Sequence, residues 1–382
     1  MPDPGASGPR SNRRVRDRGW RSLPGLTPEA PGPRGGPRYH PGIVTPAPGS
    51  SAPAVDRAAR VLTGFRPTGP LHLGHWAGNV ENLLRLQDER DTFVFIADWH
   101  MLTTHYDRTD ELPGFTRDIA LDLLAAGLDP AKVTFYRQSD FPEVAEMALL
   151  LGMVTPLGWL ERVPSYKERL RDMTEREASN FGLLGYPVLQ TVDITIVRGQ
   201  LVPVGEDQVS HLELSREIVR RFNRLYGQVL VEPQALLSEA SLIPGSDGRK
   251  MSKSFDNAIG IRDEPDEIRA KVRTFVTDPQ KVRMGDPGRP EICPVFALHK
   301  TYSPDIVDWT QEHCRVGDLG CVDCKTNLVD HVIEYFRPFR ERRAELAADP
   351  GYVEKTLAEG ADKVRPIMQE TLAAVRAAMH FA

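Results

Sequence analysis

From Arg60 onward the chain alternates two apolar patterns. Short continuous runs, "RVLTGF" (60–65), "TFVFIAD" (92–98) and "KVTFYRQS" (132–139), have the length and closure of strands buried on both faces. Between them lie segments of helical period: "VENLLRLQ" (80–87), "LPGFTRDIALDLLAAGLD" (112–129), closed by Gly127, and "EVAEMALLLGMV" (143–154). "QLVPVG" (200–205) reads as a further strand, and "EDQVSHLELSREIVRRFNRLYG" (206–227) as a long amphipathic helix with a glycine stop. Strands alternating with helices predict an α/β fold around a parallel sheet. Beyond about Phe255 the pattern becomes helical only, in "EPDEIRAKVRTFV" (264–276), "TNLVDHVIEYFRPFRERRAELA" (326–347) and "ADKVRPIMQETLAAVRAAMH" (361–380). Three units are expected: a Pro/Gly/Arg-rich tail over 1–57, an α/β domain over 58–255 and an all-α domain over 256–382. The tail is too poor in apolar residues to offset its ordering entropy. It carries eight Arg against three acids in residues 1–55 and no continuous apolar stretch of a secretory signal.

Composition adds constraints. At 382 residues, 40% hydrophobic and 26% charged, the chain suits an ordinary globular protein of two domains. A net charge of −5 gives no overall basic signature, so any nucleic acid must meet a local patch. No apolar run approaches the roughly 20 residues that span a bilayer. A cytoplasmic location is expected, and disulfides are not.

In parallel α/β sheets, ligands bind beyond the carboxyl ends of the strands. That rule directs attention to "GFRPTGPLHLGH" (64–75) and "ADWH" (97–100). "HLGH" (His72–His75) stands where a strand hands over to a helix, whose free N–H groups attract phosphate. Gly74 lets a flat ligand lie on the backbone, and two imidazoles flank it. "KMSKS" (Lys250–Ser254) follows "PGSDGR" in a loop. A lysine is a compact charge suited to a phosphate whose charge grows as it leaves. No Walker loop is present, and no G-x-G-x-x-G follows the first strand. All four cysteines fall at Cys293-x20-Cys314-x6-Cys321-x2-Cys324, a spacing that reads as a metal site when disulfides are not expected. Four thiolates satisfy either an iron–sulfur cluster or tetrahedral zinc.

The pair "HLGH" and "KMSKS", with "YPVLQTVDI" (186–194), "VPVGEDQVSHLELSREIVRRFN" (202–223), "TGFRPTGPLHLGHWAGN" and "IADWHMLTT", resembles the tryptophanyl branch of the class I aminoacyl-tRNA synthetases. The resemblance runs from about Arg60 to the C-terminus. It implies a Rossmann-like catalytic domain, a C-terminal anticodon-binding domain and a homodimer. It also implies the ATP- and Mg²⁺-dependent ligation of L-tryptophan to tRNA(Trp) through an adenylate. His72, His75, Lys250 and Lys253 would then be catalytic. ATP would be lined by Arg66, Pro67, Thr68, Gly74, Gly205, Glu206, Asp207, Leu242, Met251, Ser252 and Ser254. Asp193 would accept the indole N–H, with Val202 and Val204 as pocket walls and Tyr186, Gln190, Gln208 and His100 orienting the amino acid. The segment "TPLGWLERVPSYKER" (155–169) would border the dimer interface, and the basic run Phe336–Arg343 would meet tRNA phosphates. The cysteine spacing resembles that of a subset of tryptophanyl enzymes that ligate a [4Fe–4S] cluster, with Zn²⁺ as the alternative. Two positions depart from the family pattern: Gln190 stands where many bacterial tryptophanyl enzymes have Met, and Arg66 replaces a common Gln. The alternatives are a tyrosyl ligase, a plain nucleotidyltransferase, and a synthetase-like protein acting mainly as partner or regulator.

Overall fold

The computed structural model describes residues 59–164, 166–167, 180–205, 208–237 and 243–381. Five parallel strands, β1 (Arg60–Phe65), β2 (Asp91–Ile96), β3 (Val133–Arg137), β4 (Leu201–Val204) and β5 (Gln234–Leu237), form one sheet in the order β3-β2-β1-β4-β5. The order reverses between β1 and β4, which opens a crevice at their carboxyl ends. The first three strands and β4 fall where the apolar runs predicted them. β5 is mostly exposed and too short to stand out as an apolar run.

Along β2 successive side chains enter opposite layers. Phe93 and Phe95 join one apolar cluster, and Val94 and Ile96 the other. This two-residue alternation is the pleat itself, and burial on both faces explains why the strand reads as a continuous apolar run. On the Val94/Ile96 face lie α1 (Leu73–His75), a π-turn (Trp76–Val80), α2 (Glu81–Glu89) and α4 (Leu112–Ala126). On the Phe93/Phe95 face lie α5 (Pro142–Val154), α7 (Phe181–Ile196) and α8 (Val209–Tyr226). Two short helices, α3 (Asp98–His105) after β2 and α6 (Leu157–Leu160), complete this half. Gly127 ends α4 at φ 113°, and Gly227 ends α8, as their positions predicted.

The region after Phe255 is helical as expected: α9 (Pro265–Thr274), α10 (Pro294–Tyr302), α11 (Val307–Val316), α12 (Cys321–Ala347) and α13 (Tyr352–Ala378). It shares its core with the sheet. Tyr302, Phe336 and Phe339 pack in the same cluster as Phe65 and Ile96, around the buried Trp76. The last helix, α13, lies along the outer strand β3, and its buried residues enter both layers. At the crossing stands Gly360. A Cβ there would sit 1.7 Å from the carbonyl oxygen of Phe135, so only glycine permits this approach.

Candidate active site

The two phosphate-type motifs, some 175 residues apart in sequence, meet in space. Leu73 donates its N–H to the carbonyl of Ile259 (3.0 Å), and Ile261 donates to that of Leu71 (3.0 Å). The segment just past "KMSKS" is thus laced to the "HLGH" turn. Met251 is buried against the turn, near Gly74. Lys253 donates to the carbonyl of Gly69 (2.8 Å), and Tyr302 of α10 donates to that of Leu73 (2.9 Å).

The loop's shape depends on Asn257, which sequence reasoning passed over. Its side chain accepts from the Ser252 N–H (2.8 Å) and donates to Asp247 (2.8 Å) and the Lys250 carbonyl (3.2 Å). Ser252 and Met251 follow from that bracing, Lys250 is exposed, and Ser254 belongs to the 3₁₀ turn Lys253–Phe255.

His72 and His75 stack at 3.6 Å between ring centroids. Each Nδ1 accepts the backbone N–H of the other residue (3.3 Å). Burial, with Lys253 and Lys250 nearby, lowers His72 to about 4; burial, then His72 and the lysines, lowers His75 to about 3. Both rings are therefore neutral at pH 7. With Nδ1 accepting, each carries its proton on Nε2, which makes that nitrogen a donor. Burial, reinforced by Arg262 and opposed by Asp122, lowers Lys253 to about 8.

Beyond the ends of β1 and β4 lies a cavity of about 460 Å³, within the range of small-molecule sites. Asp193 projects into it from α7, 4% exposed. His100 of α3 meets one carboxylate oxygen at 2.7 Å, and Gln138, just past β3, donates to the other at 2.7 Å. Burial raises the Asp193 carboxyl above the ordinary carboxylate range, and these two hydrogen bonds offset that rise only in part. Val202 and Val204 form one apolar wall. Tyr186, Gln190, Gln208, Gly205 and Arg66 also line the space. The Tyr186 hydroxyl lies 2.6 Å from His211, and Arg66 donates to Thr104 (2.8 Å). Pro67 and Thr68 continue the first turn, where the Thr68 N–H donates to the Arg66 carbonyl. Glu206, Asp207 and Leu242 lie outside the described residues.

The four cysteines line a space that shares no residue with this cavity. Cys293, Cys314, Cys321 and Cys324 line one enclosed space of about 20 Å³ with Phe296, Lys281 and Leu319. Among the described residues no group of three or more His, Cys, Asp or Glu closes on a point that could hold a metal ion. Burial, first of all, pushes the Cys293, Cys314 and Cys324 thiols up. The basic run Phe336–Arg343 is not an open cationic face. Phe336 and Phe339 are core, Arg337 bonds Glu334 and Glu341, and Arg343 bonds Asp118 and Asp122.

A crevice at a sheet reversal, with a histidine-bearing helix turn and a lysine loop folded onto it, is the layout of a Rossmann-like, nucleotide-dependent class of enzyme. The family model "tRNA synthetases class I (W and Y)" matches residues 54–337, and the chain belongs to that family. It is 44% identical to the tryptophan–tRNA ligase of Aquifex aeolicus and 45% identical to that of Thermotoga maritima; each match covers 84% of this chain and 99% of the relative. Its fold is similar to that of tryptophanyl-tRNA synthetase from Campylobacter jejuni, solved with ADP and tryptophan. There the TM-score is 0.77 and the identity 33%, over 84% of this chain and 99% of that one.

Proposed function

We propose that the chain ligates L-tryptophan to tRNA(Trp) at the expense of ATP, through a tryptophanyl-adenylate. The observation that carries this reading is Asp193, a buried carboxylate that faces a cavity walled on one side by Val202 and Val204. An indole N–H entering that cavity loses water and needs an acceptor. Phenylalanine brings no donor and leaves the cavity-side acceptor capacity of Asp193 unmatched and cut off from water, at a cost of roughly 1–3 kcal/mol. The named relatives support the same choice over tyrosine.

The chemistry needs no protein nucleophile. The tryptophan carboxylate attacks the α-phosphate and pyrophosphate leaves; a ribose hydroxyl of the tRNA then attacks the activated carbonyl. Catalysis is positioning and charge stabilisation. The Nε2–H groups of His72 and His75 donate to phosphate oxygens as neutral donors. Lys250 and Lys253 stabilise the charge on departing pyrophosphate, within a loop of Met251, Ser252 and Ser254. Arg66, Pro67, Thr68, Gly74, Gly205, Glu206, Asp207 and Leu242 complete the ATP site. Tyr186, Gln190, Gln208 and His100 orient the amino acid. Mg²⁺ neutralises phosphate charge and is held largely by the nucleotide.

Residues 58–255 form the catalytic unit and 256–382 the tRNA-reading unit, and the enzyme works as a cytoplasmic homodimer. Exposed Leu149, Met153 and Leu157, beside segment 155–169, support the dimer face. No helix among the described residues is long and apolar enough to cross a membrane. Cys293, Cys314, Cys321 and Cys324 would hold an iron–sulfur cluster, with Zn²⁺ as the alternative. Four thiols lining one space offer the donor set of a [4Fe–4S] cluster, and equally that of a tetrahedral Zn²⁺. Iron and sulfide assay of anaerobically purified protein tests this, and a colourless zinc-loaded protein overturns it. The activity is tested by pyrophosphate exchange across the standard amino acids, followed by charging of tRNA(Trp). Exchange with tyrosine at lower concentration than tryptophan would refute the reading.

A further inference from the structure

Asp193 is held from two sides, and the two holders differ in kind. His100 is a titratable ring at the edge of the cavity. Gln138 is an uncharged amide, 1% exposed, in the 3₁₀ turn Gln138–Asp140 that follows β3. Its orientation is fixed by its other end. The Gln138 carbonyl oxygen accepts the backbone N–H of Trp99 (3.1 Å), so the amide nitrogen must point to Asp193, where it donates at 2.7 Å. Asp98 locks the same corner: its Oδ1 accepts the N–H groups of Trp99 and Ser139, both at 3.1 Å. The carboxyl ends of β2 and β3 are thereby tied to one oxygen of a carboxylate on α7.

A buried amide is costly unless both its ends are satisfied, and here one end is spent on backbone and the other on Asp193. A carboxylate has about four acceptor sites. With one oxygen taken by Gln138 and the other by His100, capacity remains on the cavity side. We propose that Gln138 is a positioning residue for tryptophan recognition: its locked amide holds the Asp193 carboxylate ionised and aimed to receive the indole N–H. The inference rests on the reading of Asp193 as the indole acceptor.

The other charged or titratable groups around this corner are His100 and Asp98 on α3, Tyr136 and Arg137 on β3, Arg60 on β1, and Tyr186 on α7, paired with His211 of α8. All are common to wild type and variants, so differences between their pH profiles report on position 138.

The test is tryptophan-dependent pyrophosphate exchange by the full chain over pH 5 to 9, with two substitutions. Gln138→Met keeps length and removes both the donor to Asp193 and the acceptor for the Trp99 N–H. Expected are a KM for tryptophan raised roughly tenfold or more, kcat little changed, and an acid limb of kcat/KM for tryptophan moved to higher pH. The sign follows because losing a donor to the charged form raises the carboxyl's pKa, so ionised Asp193 is lost sooner as pH falls. Gln138→Glu keeps the acceptor for Trp99 and sets a second carboxyl against Asp193. The pair shares a proton at low pH and repels when it is lost, so kcat/KM for tryptophan gains a fall with rising pH that wild type lacks. Thermal denaturation reports whether each variant folds, and the Glu variant carries the test if the Met variant does not fold. Wild-type KM and unmoved limbs in a folded variant overturn the inference. Asp193→Ala distinguishes its premise: an unchanged KM for tryptophan there sinks the reading of Asp193 itself, while a large rise alongside inert Gln138 variants sinks only Gln138.

Discussion

At the scale of single residues, protonation decides what the phosphate site can do. His72 and His75 stay neutral because they are buried beside two lysines, and their Nδ1 atoms are engaged, so they act as Nε2–H donors. Lys253 is the group that titrates in the working range. Its ammonium, lowered to about 8 chiefly by burial, is charged below that value and neutral above it. In the role proposed for Lys253 at departing pyrophosphate, the charge is therefore lost as pH rises. We expect kcat/KM for ATP, which reports the free enzyme, to fall above about pH 8 in pyrophosphate exchange. Lys253→Arg should be slower but lack that limb, since a guanidinium stays charged; a limb that survives the substitution assigns it to another group. On the amino-acid side, Asp193→Asn keeps shape and removes charge. KM for tryptophan should then rise roughly 10- to 100-fold, in line with losing hydrogen bonds to a charged group, measured in the same assay at pH 7.

At the scale of elements, the sequence carried β1 to β4 and most of the long helices, because burial on both faces makes a strand a continuous apolar run and amphipathic helices carry their period openly. Elements whose signal is weak were not legible. β5 is short and exposed, and α3 mixes Asp98, His100, Met101 and His105 without a clear stripe. The same division holds for the site. "HLGH" and "KMSKS" could be read because chemistry repeats their spelling. Gln138 and Asn257 could not, since a lone amide shows its purpose only through distant partners. A polar residue at the carboxyl end of a predicted strand was the one signal available for Gln138. The close seating of α13 on β3 was equally invisible, although Gly360 made it possible. Gly360→Ala should destabilise the chain by about 3 kcal/mol, the upper part of the overpacking range, because the clash is with backbone that cannot rotate away. Chemical denaturation measures it. Wild-type stability would mean that α13 is not pressed against Phe135 in solution.

At the scale of the whole molecule, one carboxylate connects the catalytic loop to the C-terminal helices. Asp122 of α4 is fully buried and takes hydrogen bonds from Arg262, just beyond the lysine loop, and from Arg343 of α12. Asp118, one turn earlier, meets the same two guanidiniums at 3.0 and 2.9 Å. The arginine that the sequence offered to tRNA is thus spent on joining the two halves. Asp122 also acts at the active site, because its charge partly offsets the effect of Arg262 on Lys253. Asp122→Asn should consequently do two separable things. Stability should drop by about 3–5 kcal/mol, the usual loss when one partner of a buried ion pair is removed. The alkaline limb of kcat/KM for ATP should also move below about 8, since Lys253 loses an attraction that favours its charged form. Gly360→Ala is the control, as it loosens the fold with no charge near Lys253 and should leave the limb in place. If Asp122→Asn lowers stability while the limb stays put, Asp122 is a structural clamp alone and the electrostatic link to Lys253 fails. If both shift together, the carboxylate that fastens α12 to the catalytic half also sets the charge on the lysine beside the phosphates.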